Sequence, residues 1–285
     1  MTGAFGGDPA IKAALLARLE SHIANSTLRF GGTSWDGSGG SPLGVSTEGG
    51  DSADYATRFG YPLAIAGLLD PLIAYAGPDD GGKVALRWVE CVAVGADLSP
   101  IPQRIVDHFL TAMGAERLAA SSYAQVQALH RAEASGVARH RGEWTATRRR
   151  IEAAEEAALP HSPERAALNA CATACWPLQT SSSILSTLIA AWLQEVNREA
   201  DPAFGEVERQ RAMAMLDEIY QQTQPMRDKG EAVDIPALFR MRDPVLAAGF
   251  EASLERANAR YLDRARSAPG IVLAYLAAAK LRKAP

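Results

Sequence analysis

The side chains with most capacity for chemistry in this sequence are Cys171 and Cys175, four residues apart. On a helix that spacing puts both thiols on one face. A zinc site needs two more ligands, and the sequence has no Cys or His pair at ligand spacing to supply them. A radical-type iron–sulfur pattern would need a third cysteine at 178, where Leu178 stands. The pair therefore reads as two small apolar side chains buried against a neighbouring helix, and neither a metal nor another cofactor is expected.

The histidines are the next candidates. His22, His108, His130, His140 and His161 are scattered, and none stands in an HExxH or EExxH context. His108 follows Asp107 on a helix whose apolar face carries Ile105, Phe109 and Ala112, so it could transfer a proton or simply sit at the core boundary. Gly77–Lys83 has the GxxxxGK spacing of a phosphate-binding loop. Val84 replaces the magnesium-binding hydroxyl, Pro78 removes a backbone donor, and Asp79 and Asp80 would repel phosphate. It reads as a capped turn between helices. Asp36–Pro42 contains Asp, Gly and Ser in the wrong order for a chymotrypsin-type serine, and no GxSxG elbow occurs.

Two clusters could bind rather than react. Arg139, His140 and Arg141 with Arg148, Arg149 and Arg150 flank Trp144, the residue types that hold phosphate or single-stranded nucleic acid. Glu143, Glu152, Glu155 and Glu156 follow, with Arg148–Glu152 at i,i+4, so a salt-bridged solvated face is expected and nucleic acid is not. Trp176-Pro177 followed by Gln179-Thr180-Ser181-Ser182-Ser183 is a polar run inside very apolar sequence. It is either a run of exposed turn residues or the wall of a pocket.

The elements that must position these residues are helical. Asp8-Pro9 and Asp243-Pro244 are helix starts, an N-cap carboxylate ahead of a proline at the first helical position. Ile11, Leu15, Leu16, Leu19 and Ile23 share one face of the first helix. Further helices are expected over 61–76, bent or split at Pro71, and over 83–94, 101–113, 115–135, 139–159, 163–175, 177–198 and 202–224. A short helix is expected over 235–241, then two more over 244–267 and from Pro269 to the end, with Lys280, Arg282 and Lys283 suiting the last dipole. Gly31–Gly50 contains eight glycines and is expected to hold no regular structure, with Trp35 pinning it to the helical body. The predicted fold is all-α: a multi-helix bundle or HEAT-like stacked array with a C-terminal two-helix extension. Its expected segments are 1–50, 51–224 and 225–285.

Composition bounds the rest. A hydrophobic fraction of 47%, mean hydropathy of −0.09 and net charge of −4 give no global attraction to nucleic acid or anionic membrane. The most apolar window, Leu63–Ala76, is too short to span a bilayer. Met1–Gly7 lacks the basic and apolar regions of a secretory leader, and three cysteines make no disulfide framework, so a cytoplasmic location is expected.

Gly60–Asp70, the Val94–Ser99 turn and Met213–Ile219 together resemble a group of uncharacterised bacterial Ala-rich helical proteins. The resemblance covers about residues 61–224. It implies an all-helical body and attaches no activity or site residue.

Two functions are expected from the residues themselves. The first is an interaction protein, adaptor- or immunity-type, that binds another protein through a helical face. The alternative is an enzyme or small-molecule binder. Its inter-helix pocket would be covered by the Gly31–Gly50 loop with Trp35 and lined near Asp107, His108, Trp176 and Ser182.

Overall fold

The computed structural model of the protein describes residues 3–30, 34–137 and 140–281. Helix α1 (Pro9–Ala24) starts where the sequence says it should, the Asp8 carboxylate accepting the Ala10 N–H at 2.8 Å. Then follow α2 (Pro42–Thr47), α3 (Ser52–Phe59), α4 (Leu63–Ala66), α5 (Leu69–Ala76), α6 (Pro78–Glu90) and α7 (Ile101–Ala112). Next come α8 (Ala115–Leu118), α9 (Ala120–Ala134), α10 (Arg141–Ala157), α11 (Pro163–Ala174) and α12 (Ile184–Gln194). The last four are α13 (Glu206–Gln222), α14 (Gln224–Arg227), α15 (Ile235–Arg242) and α16 (Pro244–Ala277). No strand occurs among the described residues, only isolated bridges. The fold is all-α, as the pattern predicts.

Two compact units divide the chain: Met1–Glu195 with Arg264–Pro285, and Val196–Asp263. In the first, α11 packs on α7, α8, α9, α10 and α12. A helix surrounded by five others must be thin on nearly every side, and α11 accordingly buries Ala166, Ala167, Leu168, Ala170, Cys171, Ala172 and Ala174. Contacts such as α1 on α6 and α11 on α7 join elements far apart in the chain, which is bundle packing rather than a stack of nearest neighbours. An aromatic nest lies among α3, α6 and the residues before α4. Tyr61 stacks on Trp88, and the Trp88 indole donates to the Tyr55 hydroxyl at 3.2 Å.

The second unit has its own core of Phe204, Ala212, Ile219, Phe239, Leu246 and Ala247. Buried Asp201 is held by Arg256, whose Nε and Nη2 reach its carboxylate at 3.1 and 2.8 Å, and this pairing pulls the Asp201 carboxyl down to about 2.

Several boundaries differ from the sequence expectation, each for a packing reason. The 61–76 helix breaks at Gly67 and Leu68, not at Pro71, which sits harmlessly in the first turn of α5. At Gly67 an added Cβ would lie 1.9 Å from the Ser182 carbonyl oxygen, so the chain from residue 182 occupies the place where a side chain would be. The GxxxxGK segment is not a turn but the opening of α6, with Gly81 packed under Phe30. The expected two-helix C-terminal extension is one helix, because Pro269 lies inside α16. A mid-helix proline costs about 3 kcal/mol. Its buried neighbours Ala265, Ala268, Val272 and Leu276 supply apolar burial of similar size. Residues Arg282 and Lys283, assigned there to the helix dipole, and Arg139 of the basic cluster lie outside the described residues.

The Gly31–Gly50 stretch departs most from expectation. Its described part, 34–50, contains α2, and Val45, Ser46 and Thr47 are fully buried. The Ser41 hydroxyl caps α2 by accepting the Gly44 N–H at 3.1 Å. Half-buried Asp70 of α5 accepts the Leu43 N–H at 2.9 Å, and partial burial raises its carboxyl above the ordinary value despite the bonds from Ser41 and Leu43. A Cβ on Gly44 would stand 1.5 Å from the Ser34 carbonyl oxygen, and one on Gly40 would stand 2.1 Å away. The glycines are there because backbone lies on backbone.

Candidate functional site

Between α9, α10 and the segment from Trp176 to Ser183 lies a cleft of about 780 Å³. Its existence begins with Pro177. The residue before a proline avoids helical backbone, so α11 stops at Ala174 and the chain turns outward through Cys175 and Trp176. Helix α12 resumes only at Ile184, later than the expected start at Pro177, and the polar run between them forms one wall.

A carboxylate 45 residues away holds that wall. Glu133 on α9 accepts the backbone N–H of Leu178 at 3.0 Å and of Gln179 at 3.1 Å. Behind it, His130 is fully buried, edge-on to Trp144, and donates through Nε2 to the Ala174 carbonyl at 2.8 Å. That bond requires a proton on Nε2, and Nδ1 stands 3.9 Å from Glu133 Oε2 with no other hydrogen-bond partner among the described residues. Burial alone pushes the Glu133 carboxyl up. The His130 imidazole and the two amides outweigh it and set the group below its ordinary value.

The opposite wall is α10. Arg148 lays its guanidinium flat on the Trp176 ring, 3.8 Å from the centroid, and its Nε faces Glu152 at 3.3 Å as the i,i+4 spacing predicts. Its Nη1 is buried without an acceptor among the described residues. A smaller cleft of about 610 Å³ lies beside the first, and Arg148, Trp176, Ser181 and Ser183 border both. The stacked Arg148–Trp176 pair is thus the ridge between two depressions. Trp176 remains 40% exposed.

Of the residues expected to line one pocket, Trp176 and Ser182 do share this cleft. Trp35, Asp107 and His108 are not among its lining residues, nor is any described residue of the 34–50 segment, so that segment does not cover it. Trp35 packs edge-on against His22 of α1 and over Gly49, which is the pinning expected of it. Asp107 accepts from the Tyr123 hydroxyl and from Gln127 Nε2, facing α9. His108 faces Tyr275, whose hydroxyl meets its Nδ1 at 3.2 Å. The neighbours in sequence thus point to different elements.

The thiols lie behind the cleft. Cys175 donates to the Trp144 carbonyl, and burial lifts the Cys171 and Cys175 thiols to about 12 and about 11, so both stay protonated and poorly nucleophilic. Trp144 itself is buried and presents no face for a base to stack on. Among the described residues no three His, Cys, Asp or Glu side chains converge as metal ligands, and no helix is long and apolar enough to cross a membrane. Sequence reasoning missed Glu133, the anchor of the wall. Nothing local marks it, since its partners are amides on a distant segment.

The second unit carries a different feature. Of twelve large apolar side chains left exposed among the described residues, eight lie in its 68 residues: Val207, Met213, Tyr220, Met226, Met241, Val245, Leu254 and Leu262. The same residues hold nine Lys and Arg against thirteen Asp and Glu. Their net −4 equals that of the whole chain, so the other unit is formally neutral. Comparison with protein-family models, with curated proteins and with solved structures finds no match for this chain.

Proposed function

We propose that the protein is a helical interaction protein whose Val196–Asp263 unit binds another protein, one that offers an apolar and basic contact face. The observation that carries this reading is the concentration of exposed apolar side chains in the only unit with net charge. Single exposed apolar residues need no explanation, but a dense group on a small unit does. Met213, Met226 and Met241 are among them, and methionine is the side chain that best adapts to a partner's contours. Met213 and Tyr220 stand seven residues apart, on one side of α13, with the Arg227 guanidinium laid on the tyrosine ring at 3.5 Å. The unit's excess of carboxylates steers basic partners and repels acidic ones. The three unpaired thiols suit a reducing compartment, and we place the protein in the cytoplasm on that ground.

The test compares the protein with a Met213→Glu, Tyr220→Glu variant in affinity capture from its host. A defined protein should be retained in stoichiometric amount, be released by raised salt, and be lost from the variant while the far-UV circular dichroism is unchanged. Retention of nothing, or of the same proteins by both forms, overturns the reading.

A further inference from the structure

We propose that the cleft between α9, α10 and the 176–183 segment is a binding site for a small oxyanion carried on an apolar body, such as an aromatic carboxylate or phosphate ester. This goes beyond the protein-binding reading and involves the other unit.

Size comes first. A cavity of about 780 Å³ falls in the range of small-molecule sites. Charge comes next. Among the described residues, the ionisable side chains lining it are Arg141, Arg148 and Glu133. Glu133 has both oxygens committed to the Leu178 and Gln179 amides, so its charge serves the wall, and the described lining carries an excess of one positive charge. Arg148 is held in place by Trp176 on one face and Glu152 at its Nε, yet its Nη1 has no acceptor among the described residues. A buried, unmet guanidinium donor is costly, and a carboxylate or phosphoryl oxygen is the acceptor that matches it best. Because this nitrogen is covered in the structure, contact with an anion requires the guanidinium to rise from the indole. That movement opens the ridge between the two depressions and frees the Trp176 face. The hydroxyls of Thr180, Ser181 and Ser182 add donors that suit an oxyanion and do not add charge. Val137 and Trp176 give the same cleft an exposed apolar side, which a bare inorganic anion would leave unused.

The experiment titrates the full chain with benzoate, phenyl phosphate and neutral benzyl alcohol, reading heat by calorimetry and tryptophan emission. Benzoate, phenyl phosphate or both should bind saturably at one site with a change in emission, and benzyl alcohol should not. The stronger of the two anions identifies the headgroup. Arg148→Gln should weaken binding about tenfold or more, and Arg141→Gln, on an exposed residue whose loss does not threaten folding, should weaken it less. Trp176→Phe should abolish most of the emission change while heat is still released. Met213→Glu should leave the affinity unaltered, which separates this site from the protein-binding surface. Absence of saturable binding by either anion at millimolar concentration overturns the proposal. So does equal binding of benzyl alcohol, or an affinity indifferent to both arginine substitutions.

Discussion

Segments 34–50 and 176–183 are both stretches of small and polar residues between longer helices, and each carries one tryptophan, yet they do opposite things. In 34–50 the small residues are glycines, and they let the chain sink into the body until carbonyl oxygens occupy the space of missing side chains. In 176–183 they are serines and threonine. Their hydroxyls stand along an open cleft, and the segment is held by two backbone N–H groups that donate hydrogen bonds to a single carboxylate. The first tryptophan is tucked against a histidine; the second lies half bare under an arginine. A glycine-rich stretch is therefore not evidence of a moving lid. What decides between welded and open is whether side chains are absent because backbone must pass there.

The largest effect expected from this contrast is at Gly44. Gly44→Ala forces a methyl group into the Ser34 carbonyl and should cost at least about 3 kcal/mol in urea unfolding. A cost near zero would mean that the segment yields, and the contrast would collapse. Glu133→Gln should be next, at about 1–3 kcal/mol near neutral pH, since it weakens both bonds to the cleft wall. This contribution has a definite pH sign. Because the folded-state value of Glu133 lies below its ordinary 4.5, its stabilisation is complete above that value and is lost as pH falls through the lower folded one. Acid titration of the stability difference between wild type and Glu133→Gln should therefore narrow it below pH 4.5. A difference constant with pH would remove the charge from the account.

Gly270→Ala sharpens the comparison from the other side. No atom lies within reach of an added methyl at this helical glycine, so a gain of about 0.5–1 kcal/mol should appear as a raised thermal midpoint. A loss there would show that glycine content, not overlap, governs these sites. The smallest change is expected at Thr180→Ala, an exposed cleft residue, whose stability should stay within about 0.5 kcal/mol of wild type. Hydrogen exchange should reproduce the ranking without mutation, with the bonded amides of Gly40, Ser41 and Gly44 exchanging only on extensive opening.

What the sequence made legible follows from the range of the interactions involved. Asp8-Pro9 and Asp243-Pro244 start helices as read, because a cap is settled by three or four consecutive residues. The Arg148–Glu152 pair was also readable, being fixed by helical spacing, and the thiols of Cys171 and Cys175 are buried as expected although Cys175 lies just past the end of α11. Pro269 was misleading, since burial of the residues around it is a property of the assembled bundle. The break at Gly67 was equally hidden, because its cause is the carbonyl of Ser182. Trp176 and Ser182 could be singled out by their odd polarity in apolar sequence. Glu133 could not, because a carboxylate on a helix surface looks the same whether it meets water or two distant amides. Asp107 and His108 mark the remaining limit: adjacency in sequence put them together, and the helix turned them apart.

The confinement of all net charge to the 68 residues of one unit has a practical consequence. An anion-exchange resin will grip the molecule by that unit alone, since the remainder offers the column no net attraction. Retention then becomes a gauge of how much of those 68 residues is free, and a basic partner seated there will bring elution forward far more than its mass alone would suggest.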